Sequence, residues 1–141
     1  MPGKQVGYYL ERTTRQVELA FTQAFINAGI DLTPEQWVLL DHLMQSNGQS
    51  QTDLAGKSYK NAPTVSRIID VLERKEYVER QRFENDRRRY KIYLTEKGKE
   101  VASKALPIAE QLRSQGWNGL NEEEYAQFIR IVETVFNNFS T

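Results

Sequence analysis

Polar and apolar positions alternate with a helical period through most of this chain and with a strand period only once. Val6, Tyr9, Leu10, Thr13, Val17, Phe21, Ala24 and Phe25 recur at three- and four-residue spacing and mark a long first helix, with Gly29 as its stop. A second helix opens at Leu32-Thr33-Pro34-Glu35-Gln36-Trp37. Thr33 can cap it, Pro34 suits its first position, Gln36 completes a capping box, and Leu32 can staple onto Trp37. Its expected buried stripe is Trp37, Leu40, Leu43 and Met44, and Ser46-Asn47-Gly48 should end it. Ser50 and Asp53 cap a short third helix bearing Leu54 and Ala55. After the polar turn Ser58-Tyr59-Lys60-Asn61, a fourth helix begins near Pro63. It turns Val65, Ile68, Ile69 and Leu72 inward and leaves Asn61, Thr64, Ser66 and Arg67 facing out near its start.

Two runs, Val78 to Arg82 and Tyr90 to Leu94, read as strands, the second alternating Tyr90, Ile92 and Leu94 against Lys91 and Tyr93. Residues 83–89 between them predict a long, arginine-rich hairpin tip. Thr95 can cap a fifth helix through Val101, Ala105, Ile108 and Leu112, which Pro107 should kink and Gly116 end. Leu120-Asn121-Glu122-Glu123-Glu124-Tyr125 repeats the staple and capping box before a last helix with Tyr125, Phe128, Val132, Phe136 and Phe139 on one face. The predicted order is α-α-α-α-β-β-α-α, a mainly helical fold with a small β-hairpin.

Charge then singles out the middle of the chain. The 141 residues sum to zero net charge, but residues 57–104 hold 14 basic and 8 acidic side chains, while the flanking segments are acidic. A charge block alone is usually a solvated face. This one coincides with two short helices joined by a tight turn, the second opening with small polar residues and an arginine, which is a helix-turn-helix pattern. The second helix would enter a major groove. There Arg67 could reach guanine O6 and N7, Thr64 and Ser66 are short enough for base edges or phosphates, and the positive helix end attracts phosphate. Arg87, Arg88 and Arg89 on the hairpin that follows suit an adjacent minor groove, where arginine seeks negative potential.

Other features exclude more than they specify. With no cysteine there is no disulfide, thiolate metal site or thiol switch. No apolar run is long enough for a membrane span, and the start lacks the apolar stretch of a secretory signal, so a cytoplasmic protein is expected. Enzyme chemistry finds little support in one histidine, His42, and no glycine-rich phosphate loop; neither cofactor nor metal is expected. His42 itself reads as an exposed helix residue, a pocket group or a metal ligand. The carboxylates Glu122 to Glu124 occupy a helix start, where acidic groups stabilise the dipole. A helix-turn-helix protein that binds another protein in place of DNA is a further reading, which the basic hairpin disfavours.

The run Asn61-Ala62-Pro63-Thr64-Val65-Ser66-Arg67-Ile68-Ile69-Asp70-Val71-Leu72-Glu73-Arg74-Lys75, then Asp86-Arg87-Arg88 and Leu94-Thr95-Glu96-Lys97-Gly98, resembles the MarR family of winged-helix regulators over about residues 8–139. The resemblance implies a transcription regulator, in the first instance a repressor, that reads a near-palindromic operator in double-stranded DNA as a homodimer. Residues 33–95 would form the winged-helix lobe, and 6–32 with 96–141 the dimerisation helices, whose aromatic surface exceeds what one small core can cover. Asn61, Pro63, Thr64, Ser66 and Arg67 would meet the major groove. In the wing of Asp86, Arg87, Arg88 and Arg89, Asp86 would orient the hairpin and Arg88 would enter the minor groove. A small aromatic or anionic effector is also implied, with Tyr9, Trp37 and His42 as candidate pocket residues; for the two aromatics, plain core packing is the competing reading. One departure is Glu76, where the family often has glycine, which leaves the local turn open.

Overall fold

The computed structural model describes residues 5–140. In chain order it contains α1 (Val6–Asn27), α2 (Pro34–Gln45), β1 (Gln49–Ser50), α3 (Gln51–Ser58), α4 (Ala62–Arg74), β2 (Val78–Phe83), β3 (Asp86–Leu94), α5 (Glu96–Gly116) and α6 (Glu122–Phe139). They form two compact units, one ending at Ala109 and one starting at Glu110. The six helices and the hairpin are those the periodicities predict. The sheet gains a short strand, β1, which pairs antiparallel with β3 and makes β3 central in the order β1-β3-β2. Two residues carry no period, so pattern reading passes over β1. Its Gln49 is nearly buried and closes the end of α2: Nε2 donates to the carbonyls of His42 and Ser46 at 2.7 and 2.8 Å, while Oε1 accepts from Lys57 Nζ.

In the first unit the core gathers Phe25 from α1, Trp37, Leu39, Leu40 and Leu43 from α2, Leu54 from α3, four residues of α4, and Val78, Ile92 and Leu94 from the sheet. The α2 start is formed as expected, with Thr33 Oγ1 accepting from the Gln36 N–H and Gln36 Oε1 from the Thr33 N–H. Its buried arc is centred differently: Leu39 is fully buried and Met44 is 38% exposed, because α2 is enclosed on the side of Leu39 and Leu43. Along α1 the expected stripe is buried only at Phe25, while Val6, Tyr9 and Val17 remain about half exposed. On α5 the closest packing is made by small residues, Gly98, Ala102, Ala105 and Ala109.

The end of α4 resolves the turn at Glu76. The Tyr77 N–H donates to the Leu72 carbonyl and the Glu76 N–H to the Glu73 carbonyl, both at 2.9 Å, which is a Schellman motif. Glu76 therefore sits at φ 65°, a left-handed position that glycine fills more cheaply. The Glu76 carbonyl accepts from Thr95 Oγ1 at 2.6 Å, and the Thr95 N–H donates to the Tyr77 carbonyl, so the wing base and the start of α5 lock onto the same turn. Gly98 is required there: a Cβ would lie 1.9 Å from the Tyr77 carbonyl oxygen.

The second unit holds the end of α5 and all of α6. Trp117 packs edge-on against Tyr125 and Phe128, with centroids 4.7 and 5.5 Å apart, and Asn121 with Glu124 completes the expected capping box. No described residue of α6 is buried, and Tyr125, Phe128, Ile129, Ile131, Phe136 and Phe139 are all exposed.

Candidate nucleic-acid interface

Helix α4 starts from Asn61, whose Oδ1 accepts the Thr64 N–H at 2.9 Å, with Pro63 in its first turn. Apart from that cap, the helix adds no carboxylate to its own positive end, since its first turn holds no acidic residue, and the nearby Glu35 is paired with Lys60 at 3.6 Å. Asn61, Pro63 and Arg67 are exposed and Thr64 is half-buried. Arg67 Nη2 donates to Thr64 Oγ1 at 3.3 Å, so it lies along its own helix over a cleft of about 210 Å³ shared with Thr33, Glu35, Gln36, Ile68 and Val71.

Ser66 departs from the expected outward orientation. It is half-buried against β2, and both its carbonyl and its hydroxyl oxygen accept from Arg80 Nη2, at 3.0 and 3.4 Å. Arg80 was not singled out by sequence reasoning. Its side chain is only 14% exposed, and it also donates to Asp70 and Glu73 through Nη1 and to Gln51 through Nε. The available signal was the inward parity of residue 80 between Val78 and Arg82, opposite two carboxylates spaced three apart on α4.

The hairpin tip is tighter than the predicted loop. Only Glu84 and Asn85 form the turn, since Phe83 pairs with Asp86. The next ladder pair down is Arg82 with Tyr90, so Arg87, Arg88 and Arg89 have no counterpart on β2 and form a three-residue bulge on β3. Asp86 shapes this bulge: its Oδ1 accepts the Arg88 N–H at 3.0 Å, and the Arg88 Nε lies 3.7 Å away. The Arg88 side chain is otherwise in water, 94% exposed. Arg89 is placed differently, with its guanidinium 4.2 Å from the centre of the Phe83 ring, and Lys91 covers the same ring at 5.2 Å. Three cations, one aromatic and a carboxylate brace thus meet at the end of the hairpin.

Trp37, a candidate pocket residue, is 2% exposed and packs edge-on against Phe25 at 6.4 Å, so in this state it serves the core. Tyr9 is half-exposed on α1 beside Tyr8 and Arg12. His42 is half-buried near the end of α2, its carbonyl accepting from Gln49 and from the Ser46 N–H. A separate cleft of about 320 Å³ lies beside the α4 turn, lined by Asp31, Tyr77, Lys97, Glu100 and Lys104 among others. Burial of the Tyr77 phenol, with Asp31 adding to it, raises its pKa above the usual 10.0. No helix among the described residues is long and apolar enough to cross a membrane.

Residues 32–90, which run from the start of α2 through the arginine bulge, match the MarR family. Solved structures agree over nearly the whole chain. A MepR–DNA complex from S. aureus is 25% identical with a TM-score of 0.87, over 97% of this chain and 100% of the other. The transcriptional repressor CouR bound to a 23-mer DNA duplex is 26% identical with a TM-score of 0.80, over 93% and 92%. BpsR from Bordetella bronchiseptica, described for regulation of its DNA binding by 6-hydroxynicotinic acid, is 25% identical with a TM-score of 0.84, over 96% and 97%. With an open helix end and an arginine-tipped hairpin built on that shared frame, the chain carries a MarR-family match over residues 32–90 and shares its winged-helix fold with DNA-binding transcription regulators over nearly its whole length.

Proposed function

We propose that the protein is a repressor that binds a near-palindromic operator as a homodimer, with α4 in the major groove and the arginine bulge in the flanking minor groove. The observation that carries this reading is the pairing of two cationic features on one compact unit: an α4 start with no acidic residue in its first turn, and a braced bulge with Arg88 extended into solvent. Asn61, Pro63, Thr64 and Arg67 supply the helix contacts, and Ser66 contributes through its place in the helix backbone. Arg67 leaves Thr64 to take a guanine edge, while Asp86, Arg87, Arg88 and Arg89 form the wing contact. The exposed apolar face of α6 gives the reason for a second copy, and a two-fold dimer reads half-sites about one helical turn apart. By analogy with the relative regulated by 6-hydroxynicotinic acid, a small aromatic acid is the effector class to test first, with Tyr9, Trp37 and His42 as the residues to vary.

The test is a competition titration of Arg67→Ala and Arg88→Ala against single-base variants of a duplex selected from random sequence by the intact protein. Arg67→Ala is expected to cost about 1–3 kcal/mol on the preferred site and to flatten discrimination at one base position per half-site. Arg88→Ala is expected to weaken binding most where the flanks are A/T-rich, with the central preferences kept. Equal losses on every sequence would make both arginines phosphate contacts and refute the groove assignment.

A further inference from the structure

We propose that Arg80 is a positioning residue that fixes the wing relative to the reading helix, so that the minor-groove contribution of Arg88 depends on a side chain that itself stays off the DNA. The proposal rests on the wing reading above and adds the element that sets its geometry. Arg80 belongs to β2, yet its donors are spent on other elements. Nη1 donates to Asp70 Oδ1 at 2.6 Å and Glu73 Oε1 at 3.1 Å, Nη2 to the Ser66 carbonyl at 3.0 Å, and Nε to Gln51 Oε1 at 3.2 Å. Its own backbone N–H adds a longer bond to Glu73 Oε2 at 3.4 Å. One guanidinium thus ties β2 to α3 and to three residues of α4 with the planar fork that lysine lacks.

On the other side of the same residue lies the route to the bulge. The Arg80 guanidinium lies 5.8 Å from the centre of the Tyr90 ring, and Arg82 sits at the same distance from that ring. Tyr90 with Arg82 is the last ladder pair before Arg87–Arg89 leave the register. Orientation therefore passes from α4 through Arg80 and Tyr90 to the root of the bulge. Ser66, whose carbonyl accepts from Arg80, immediately precedes Arg67 on α4, so the joint refers the wing to the reading helix, while Arg67 is held in place by the helix itself. Asp70 and Glu73 are 52% and 43% exposed, so water can solvate them if Arg80 is lost, and the fold should survive the change.

The experiment is a double-mutant cycle of Arg80→Gln with Arg88→Ala in the full-length chain, read as affinity for the selected duplex and for a version with G/C flanks. In the parent, Arg88→Ala is expected to weaken binding about tenfold; in the Arg80→Gln background the same change should cost less than about threefold. Arg80→Gln alone should erase the A/T-flank preference while keeping the base preference that depends on Arg67. Arg80→Lys, which retains the charge without the fork, should behave like Arg80→Gln, and it takes its place in the cycle if the glutamine variant fails to fold by urea titration. Additive losses would overturn the proposal, as would a uniform loss that includes the Arg67-dependent position. An Arg88→Ala change that is silent in the parent would instead remove the wing reading, and the proposal with it.

Discussion

Helices α4 and α6 both start from an asparagine whose Oδ1 accepts the N–H three residues on, at 2.9 Å in α4 and 2.8 Å in α6, and both carry an apolar stripe at helical spacing. From there they diverge. The first turn of α4 carries no acidic residue; that of α6 carries Glu122, Glu123 and Glu124. In α4 the residues Val65, Ile68, Ile69 and Leu72 are buried, whereas in α6 the stripe stays exposed. Amphipathicity thus states that a face needs covering and leaves open what covers it. The charge at the two starts points the same way: α6 neutralises its own dipole and offers an apolar flank, while α4 buries its flank and leaves its positive end free for phosphate.

The largest test of this contrast is Phe128→Asp with Phe136→Asp on α6. On the proposed homodimer, the pair should shift the mass at micromolar concentration from dimer to monomer by light scattering and lower operator affinity by about a hundredfold, since two half-sites then bind independently. A monomeric mass for the unaltered chain would break the comparison outright. On α4, Leu72→Ala should cost about 2–5 kcal/mol in urea unfolding and leave the association state alone, because its side chain is fully buried within one compact unit. At the α4 end, Glu76→Gly should raise stability by about 1 kcal/mol, since it removes the cost of a left-handed β-carbon while keeping the Schellman bonds.

The smallest effect concerns pH. The Tyr77 pKa is raised above 10.0 by burial and by Asp31, so the folded state favours the neutral phenol. That contribution is fully present below pH 10 and is lost as pH rises through the higher folded value. Tyr77→Phe should therefore flatten the alkaline fall in stability above pH 10, measured as the difference between the two melting curves. Identical slopes would mean that the joint beside α4 opens to water more readily than its packing indicates.

What was legible in the residues was local. The capping boxes of Thr33 and Asn121, the α4 stripe and the arginine cluster all depend on partners within a few positions, and each was found. Arg80 was missed because its meaning lies in Ser66, Asp70 and Gln51, 10 to 29 positions away and brought near only by the turn of the sheet. From sequence the tip reads as a loop, because a bulge and a loop have the same composition; only pairing of Phe83 with Asp86 tells them apart. Ser66 reads as outward from the helix period but sits at the edge of that face, half-buried, because β2 brings Arg80 onto it.

The bulge also bears on how such a wing changes over evolutionary time. Below it, Tyr90 is stacked by two guanidiniums and β3 is held by strands on both sides, with Ile92 and Leu94 buried. Above it there is only a two-residue turn. Residues gained or lost between Asp86 and Tyr90 would change reach and charge at the tip without shifting the ladder beneath, so the register that protects the core imposes no fixed length on the bulge proposed to meet the operator. On the proposed wing contact, small insertions, deletions and arginine exchanges at this one site would alter target preference while the folded frame stays the same.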